Sequence, residues 1–272
     1  MSWISRSATS IYLVIFIAGL LAACTNDQTQ AKAIVAEIKQ QYGLNVHHLR
    51  DTSQLPSSVV FKIKDGEATV KVKPLSHGQF LNYIKILQKA LAKYPQSLIK
   101  QSLSDVYIGG PYTENDAIIV GMYTKNKIYL FYNHHNGNNH DVFLEQTFHH
   151  EFSSILIKKY NFQAFDWLKL NPKGFSYIIN PKKIDKYMNS IGKYAATKEM
   201  LKQGVVTSYG MVNAENDINT YVETIFTQPN KMKKYISTYP VIARKYQMLK
   251  KFYLSISPQF GEIFTLIDGE RR

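Results

Sequence analysis

The chain has 272 residues, with 33 Lys and Arg against 20 Asp and Glu and a formal net charge of +13. The cations are spread along the chain as 28 lysines against 5 arginines, with no basic stripe interleaved with aromatics, so nucleic-acid binding is set aside. With 19 Tyr, 14 Phe and no low-complexity run or repeat, the composition excludes a disordered chain and predicts one large folded domain.

The N-terminus carries one cation, Arg6, followed by an apolar run from Ile11 to Ala23. A membrane-spanning helix needs roughly 20 apolar residues and a secretory core about 7 to 15, so this run predicts a signal peptide over residues 1–23. It closes with Leu21-Ala22-Ala23-Cys24, which resembles the bacterial lipobox. That resemblance implies that Cys24, the only cysteine, is acylated with palmitate-like chains and holds the protein to a membrane while the rest stays outside the bilayer. Residues 24–30 read as a lipidated polar tether, and residues 31–272 as the folded domain. Thr25, where an inner-membrane retention signal would place Asp, points to the outer membrane and leaves open which side the domain faces.

In the folded part, Ala31–Tyr42 predicts a helix with Ile34, Val35 and Ile38 on one face. Val59–Lys64 and Ala68–Val72 alternate around Asp65-Gly66 and predict a β-hairpin. Ser76–Tyr94 predicts an amphipathic helix, started by Ser76 and stopped by Pro95. Asp105–Gly109, Ala117–Gly121 and Lys127–Tyr132 predict three strands, the last edging a cleft. A loop of Asn, His and Gly over 133–140 then leads into a helix from Val142 to Tyr160. Asn161–Tyr177 reads as a short helix and turn. The last third reads as helical, over Asp217–Phe226, Lys231–Ile236 and Pro240–Ile256.

The helix over 142–160 carries His150-Glu151-Phe152-Ser153-Ser154. The zincin pattern His-Glu-x-x-His works because residues four apart lie one above the other on a helix, so two imidazoles reach one Zn²⁺ while the Glu activates its water. Here the fifth position is Ser154. Downstream, Ser208-Tyr209 and Asn216-Asp217-Ile218 through Glu223 resemble a second zincin signature, a Tyr followed by Glu-Asp-Phe-Ala-Glu on a helix. On these motifs, residues 105–226 resemble the Bacteroidetes putative zinc-binding metallopeptidase lipoproteins, which are similar to anthrax lethal factor in this region.

The resemblance implies an α+β, zincin-like fold with a mixed sheet, a motif helix and a helical C-terminal subdomain. It implies His150 as a zinc ligand, Glu151 as general base and Tyr209 as a hydrogen-bond donor to the oxyanion. Ser154 and Asn216 stand where the family has its other two zinc ligands, so zinc binding is expected to be weak or absent. His149, Glu215, Asp217, Glu223 and the loop histidines His134, His135 and His140 are the candidate substitutes, although His149 lies about 100° around the helix from His150. The expected function is that of an outer-membrane lipoprotein associated with nutrient import, its metallopeptidase site degenerate and impaired. An active zinc peptidase using substitute ligands, or a non-catalytic lipoprotein binding peptide or glycan, are the alternatives.

Overall fold

The computed structural model describes residues 26–132, 140–178, 180, 183 and 195–269. Cys24, the signal peptide and the loop histidines His134 and His135 lie outside the described residues. None of the described helices is long and apolar enough to cross a membrane.

Helix α1, over residues 26–42, buries Ala31, Ile38 and Tyr42 at helical spacing. The chain then enters a four-stranded sheet ordered β1 (Asn45–His48), β3 (Asp105–Gly109), β7 (Lys127–Phe131), β6 (Gly121–Tyr123). The first three strands are parallel, and β6 closes the sheet as an antiparallel edge. Alternation along the strands splits the core in two. Val46, Val106, Ile108, Ile128 and Leu130 face the helical layer, while Tyr129 and Phe131 face a second cluster with Leu55, Val59 and Tyr112.

The second cluster contains helix α2 (Ser57–Lys64) and a small antiparallel sheet of β2 (Val70–Val72), β4 (Tyr112–Glu114) and β5 (Ala117–Ile119). The hairpin expected over residues 59–72 is therefore corrected: its first half is helical, and β2 pairs with β4 instead. The reason lies at Gly66, whose φ of +72° ends the helix rather than turning a hairpin. Its N–H donates to the Ile63 carbonyl at 3.2 Å and the Glu67 N–H to the Lys62 carbonyl at 2.9 Å, the bonding of a Schellman motif. The tight hairpin lies at β4–β5, where Asn115 and Asp116 take positive φ of 49° and 63°.

The strand expected over Ala117–Gly121 divides between the two sheets, β5 belonging to one and β6 to the other. The sheet edge beside the motif helix is consequently β6, and β7 is an interior strand.

The helical layer comprises α3 (His77–Leu91), α4 (Gln96–Ser102), α5 (His140–Lys159), α6 (Ala164–Lys169), α7 (Lys198–Lys202), α8 (Ala214–Thr227), α9 (Pro229–Thr238), α10 (Pro240–Ile256) and α11 (Gly261–Asp268). Helix α5 runs through its middle, packed against β6 and β7 on one side and against α3 and α8 on the others. From Phe143 to Ile157 every residue but Gln146 is buried. Asp141 in its first turn and Lys158 and Lys159 in its last suit the helix dipole, and Asn161, at φ +53°, lies just past its end.

Helix α3 starts with a complete capping box. The Ser76 hydroxyl accepts from the Gln79 N–H at 3.2 Å, and the Gln79 side chain accepts from the Ser76 N–H at 3.0 Å. Ser76→Ala is expected to lower unfolding free energy by about 1 kcal/mol, measured by urea denaturation. An unchanged midpoint would show that α3 is held by packing alone.

Candidate functional site

Helices α5 and α8 run antiparallel, and a stripe of polar side chains joins them. Lys158 faces Glu215 at 3.6 Å, Ser154 accepts from the Asn219 amide at 2.7 Å, His150 Nδ1 meets Glu223 Oε1 at 2.5 Å, and the Gln146 amide donates to Thr227 Oγ1 at 3.2 Å. Each contact retreats four residues along α5 and advances four along α8. A helix repeats its face at that interval, so the four contacts form one straight interhelical ladder. His150 and Ser154, the first and fifth positions of the zincin pattern, are its two inner rungs. Ser154 is 1 % exposed, Asn219 0 % and Glu223 3 %.

Around His150 the structure gathers several of the residues singled out by the sequence. Tyr209 sits in a 3₁₀ turn, Ser208–Met211, just before α8, with its ring centroid 5.6 Å from that of His150 and the planes at 36°. Burial, with Glu151 and Glu223 nearby, pushes its hydroxyl up to about 12, so it is a neutral donor at any physiological pH. The Asn216 side chain hydrogen-bonds with Tyr209, and its backbone N–H is capped by Asn213 at 2.8 Å. Glu151 lies on the β6 side of α5, directly over Gly121. A Cβ there would lie 2.5 Å from Glu151 Oε1 and 2.8 Å from Thr147 Cγ2, so only glycine lets β6 approach the carboxylate.

Two sequence candidates are committed elsewhere. His149 is 0 % exposed on another side of α5; its Nδ1 meets the Tyr94 hydroxyl at 2.8 Å and its Nε2 lies 3.6 Å from Glu145. Burial lowers this imidazole to about 4. Burial alone would raise Glu145, but the adjacent His149 ring and hydrogen bonds from Lys93 and Lys89 hold it down to about 2. Asp217 is 0 % exposed and accepts from Trp167 Nε1 at 2.9 Å, the Tyr177 hydroxyl at 2.8 Å and Lys245 Nζ at 2.6 Å. Lys245, also 0 % exposed, donates onward to the Gly204 carbonyl at 3.0 Å, so this buried pair pins α10 to α8. Neither Lys245 nor Asn219 stood out in the sequence. The signal for Asn219 was the four-residue spacing of Glu215, Asn219, Glu223 and Thr227 along α8.

The family resemblance implies zinc, and the donors at the motif positions do not fit it. A catalytic zinc site takes about three protein ligands from imidazole, thiolate or carboxylate groups. Here the ladder holds one imidazole on a carboxylate and a neutral hydroxyl on a neutral amide, and Asn216 offers a second neutral amide. Among the described residues, no three His, Cys, Asp or Glu side chains converge as a metal site.

No protein-family model and no curated protein matches the chain. Among solved structures it is similar to the crystal structure of a putative zinc-binding metallo-peptidase from Bacteroides caccae, with a TM-score of 0.57, 16 % identity, and coverage of 89 % of this chain and 92 % of that one. At that identity the likeness establishes a shared mixed α/β fold with a metallopeptidase-like neighbour over nearly the whole length of both chains.

The environment of His149 predicts acid sensitivity. In the unfolded chain this imidazole takes up a proton near 6.5, but in the folded state only near 4, so the unfolded state binds more protons in between. Stability should therefore fall as pH drops from about 6.5 to about 4, by roughly 1.4 kcal/mol per unit from this group. Loss of the Glu145 contribution follows below the usual carboxylate range, toward 2. Urea unfolding across this range should show a shallower slope between pH 6.5 and 4 for His149→Gln than for the parent chain. Equal slopes would place the acid sensitivity elsewhere.

Proposed function

We propose that this chain is a membrane-anchored lipoprotein whose zincin-like domain no longer holds a catalytic zinc, the motif positions serving instead as rungs between α5 and α8. One observation carries this reading: Ser154 accepts a hydrogen bond from Asn219 and His150 meets Glu223 Oε1, so both motif positions on α5 have side-chain partners on α8, although Glu223 Oε2 and Asn219 Oδ1 are buried without one. The metallopeptidase-like neighbour supports descent from a zinc-binding scaffold, and the replacement of the second imidazole by Ser154 supports its loss of metal. Glu151 keeps the place of a general base and Tyr209 that of an oxyanion donor. Without an ion to lower the pKa of a water, neither has an activated nucleophile to serve. The domain then acts by binding, with peptide or glycan as its ligand class, at an outer membrane and in association with nutrient import. Leu21-Ala22-Ala23-Cys24 supports the anchor.

Two experiments test the two halves of this reading. The protein purified without chelator should contain zinc well below one equivalent per chain and show negligible peptidase activity, while Ser154→His with Asn216→Glu should raise the zinc content. Stoichiometric zinc in the parent chain, lost on His150→Ala, would instead establish an enzyme with substitute ligands. Separately, Cys24→Ser should abolish metabolic palmitate labelling and shift the protein out of the membrane fraction. Unchanged fractionation would refute the anchor.

A further inference from the structure

A groove of about 450 Å³ lies between α1, β1 and the start of α3 and shares no lining residue with the ladder. Alternate residues of the chain leaving β1, Val46, His48 and Arg50, supply one wall, because side chains two apart on an extended segment share a face. Val35 and Ala36 of α1 and Phe80 of α3 supply the rest of an apolar lining, and the His48 ring stacks on Phe80 at 4.5 Å and 13°. His48 Nε2 is buried there without a hydrogen-bond partner. The rim carries Lys32, Lys39, Arg50 and His77, and none of the lining residues is acidic. Lys39 is partly engaged, donating to the Gly43 carbonyl and the Asn45 side chain. Asp27, the acid of the first turn of α1, turns to Gly78 at the start of α3.

An apolar slot with a cationic rim complements a molecule with an anionic head and a hydrocarbon tail. Its position names the source. Gln28 lines the groove four residues after Cys24, a span of at most about 14 Å of extended chain. If Cys24 is acylated, as the proposed function has it, the groove is held against the bilayer surface. We propose that this groove takes up an anionic phospholipid, the phosphate between the rim cations and the first part of one acyl chain along Val35, Val46 and Phe80, seating the domain on the membrane in a fixed orientation.

The test uses the full-length chain in phosphatidylglycerol or phosphatidylcholine vesicles containing a photoactivatable analogue of the same lipid, with labelled peptides mapped by mass spectrometry and acylation of Cys24 read separately by palmitate labelling. Labelling should fall on 28–39 and 46–50 and be about tenfold or more stronger with phosphatidylglycerol, since each basic side chain near an anionic surface contributes a several-fold preference. Lys32→Glu with Arg50→Glu, both exposed positions, should remove that preference. Ala36→Trp, which fills the slot from another exposed position, should abolish groove labelling and leave palmitate labelling intact. Groove labelling without palmitate on Cys24 would uphold the groove and refute the anchor. Palmitate on Cys24 with labelling that is equal for the two lipids, absent, or unaffected by Ala36→Trp would overturn the groove alone. Absence of both signals would overturn both.

Discussion

Helix α5 is enclosed by protein on all sides, and that enclosure governs the rest of the structure. A polar group taken out of water without a partner costs about 1 to 3 kcal/mol, and this helix carries Glu145, Thr147, His149, His150, Glu151, Ser153 and Ser154 into the interior. Each neighbour of α5 answers part of that demand. The α3 side gives Lys89 and Lys93 to Glu145, the turn after α3 gives Tyr94 to His149, and α8 gives the ladder. Thr147 returns its hydroxyl to the Phe143 carbonyl at 3.0 Å within the helix. The polar content of α5 thus dictates which residues its neighbours carry.

The ladder gives the first and fifth positions of the motif side-chain partners on α8. Buried polar groups need partners, whether a cation or other side chains. The Ser154 hydroxyl can both donate and accept, and it accepts from the Asn219 amide. Glu223 meets His150 one turn back along α5 and one turn on along α8. Lys158 at the open end is shared between Glu215 and the Tyr123 hydroxyl, which ties β6 to the ladder as well. On another side of α8, the buried Lys245 donates to the buried Asp217.

Much of this was legible in the sequence where a local rule and the tertiary fold agree. Ser76 and Gln79 announce the start of α3, and the apolar alternation of residues 105–109 and 127–131 announces adjacent strands. Val59–Lys64 alternates like a strand, but Val59, Val60 and Ile63 also share a helix face, and that face packs on the second cluster while Phe61 is left exposed; Asp65-Gly66 serves either a hairpin or a helix C-terminus. The division of Ala117–Gly121 between two sheets depends on Gly121 meeting Glu151, a contact between residues thirty apart that no local pattern encodes. At the site, the motif drew attention to the ligand positions and away from their partners. The resemblance puts Asn216 at a ligand position, yet the residues that face Ser154 and His150 are Asn219 and Glu223. Only the four-residue stripes on both helices, read together, contain that pairing.

In the proposed reading, His150 and Ser154 are held by Glu223 and Asn219 in place of a metal. A ligand that binds only the native state raises its stability in proportion to the logarithm of its concentration over its dissociation constant, so thermal unfolding with excess zinc and with excess chelator compares the two cases directly. The ladder predicts the same midpoint in both. A midpoint that rises with zinc, falls with chelator and loses this dependence in His150→Ala would contradict it.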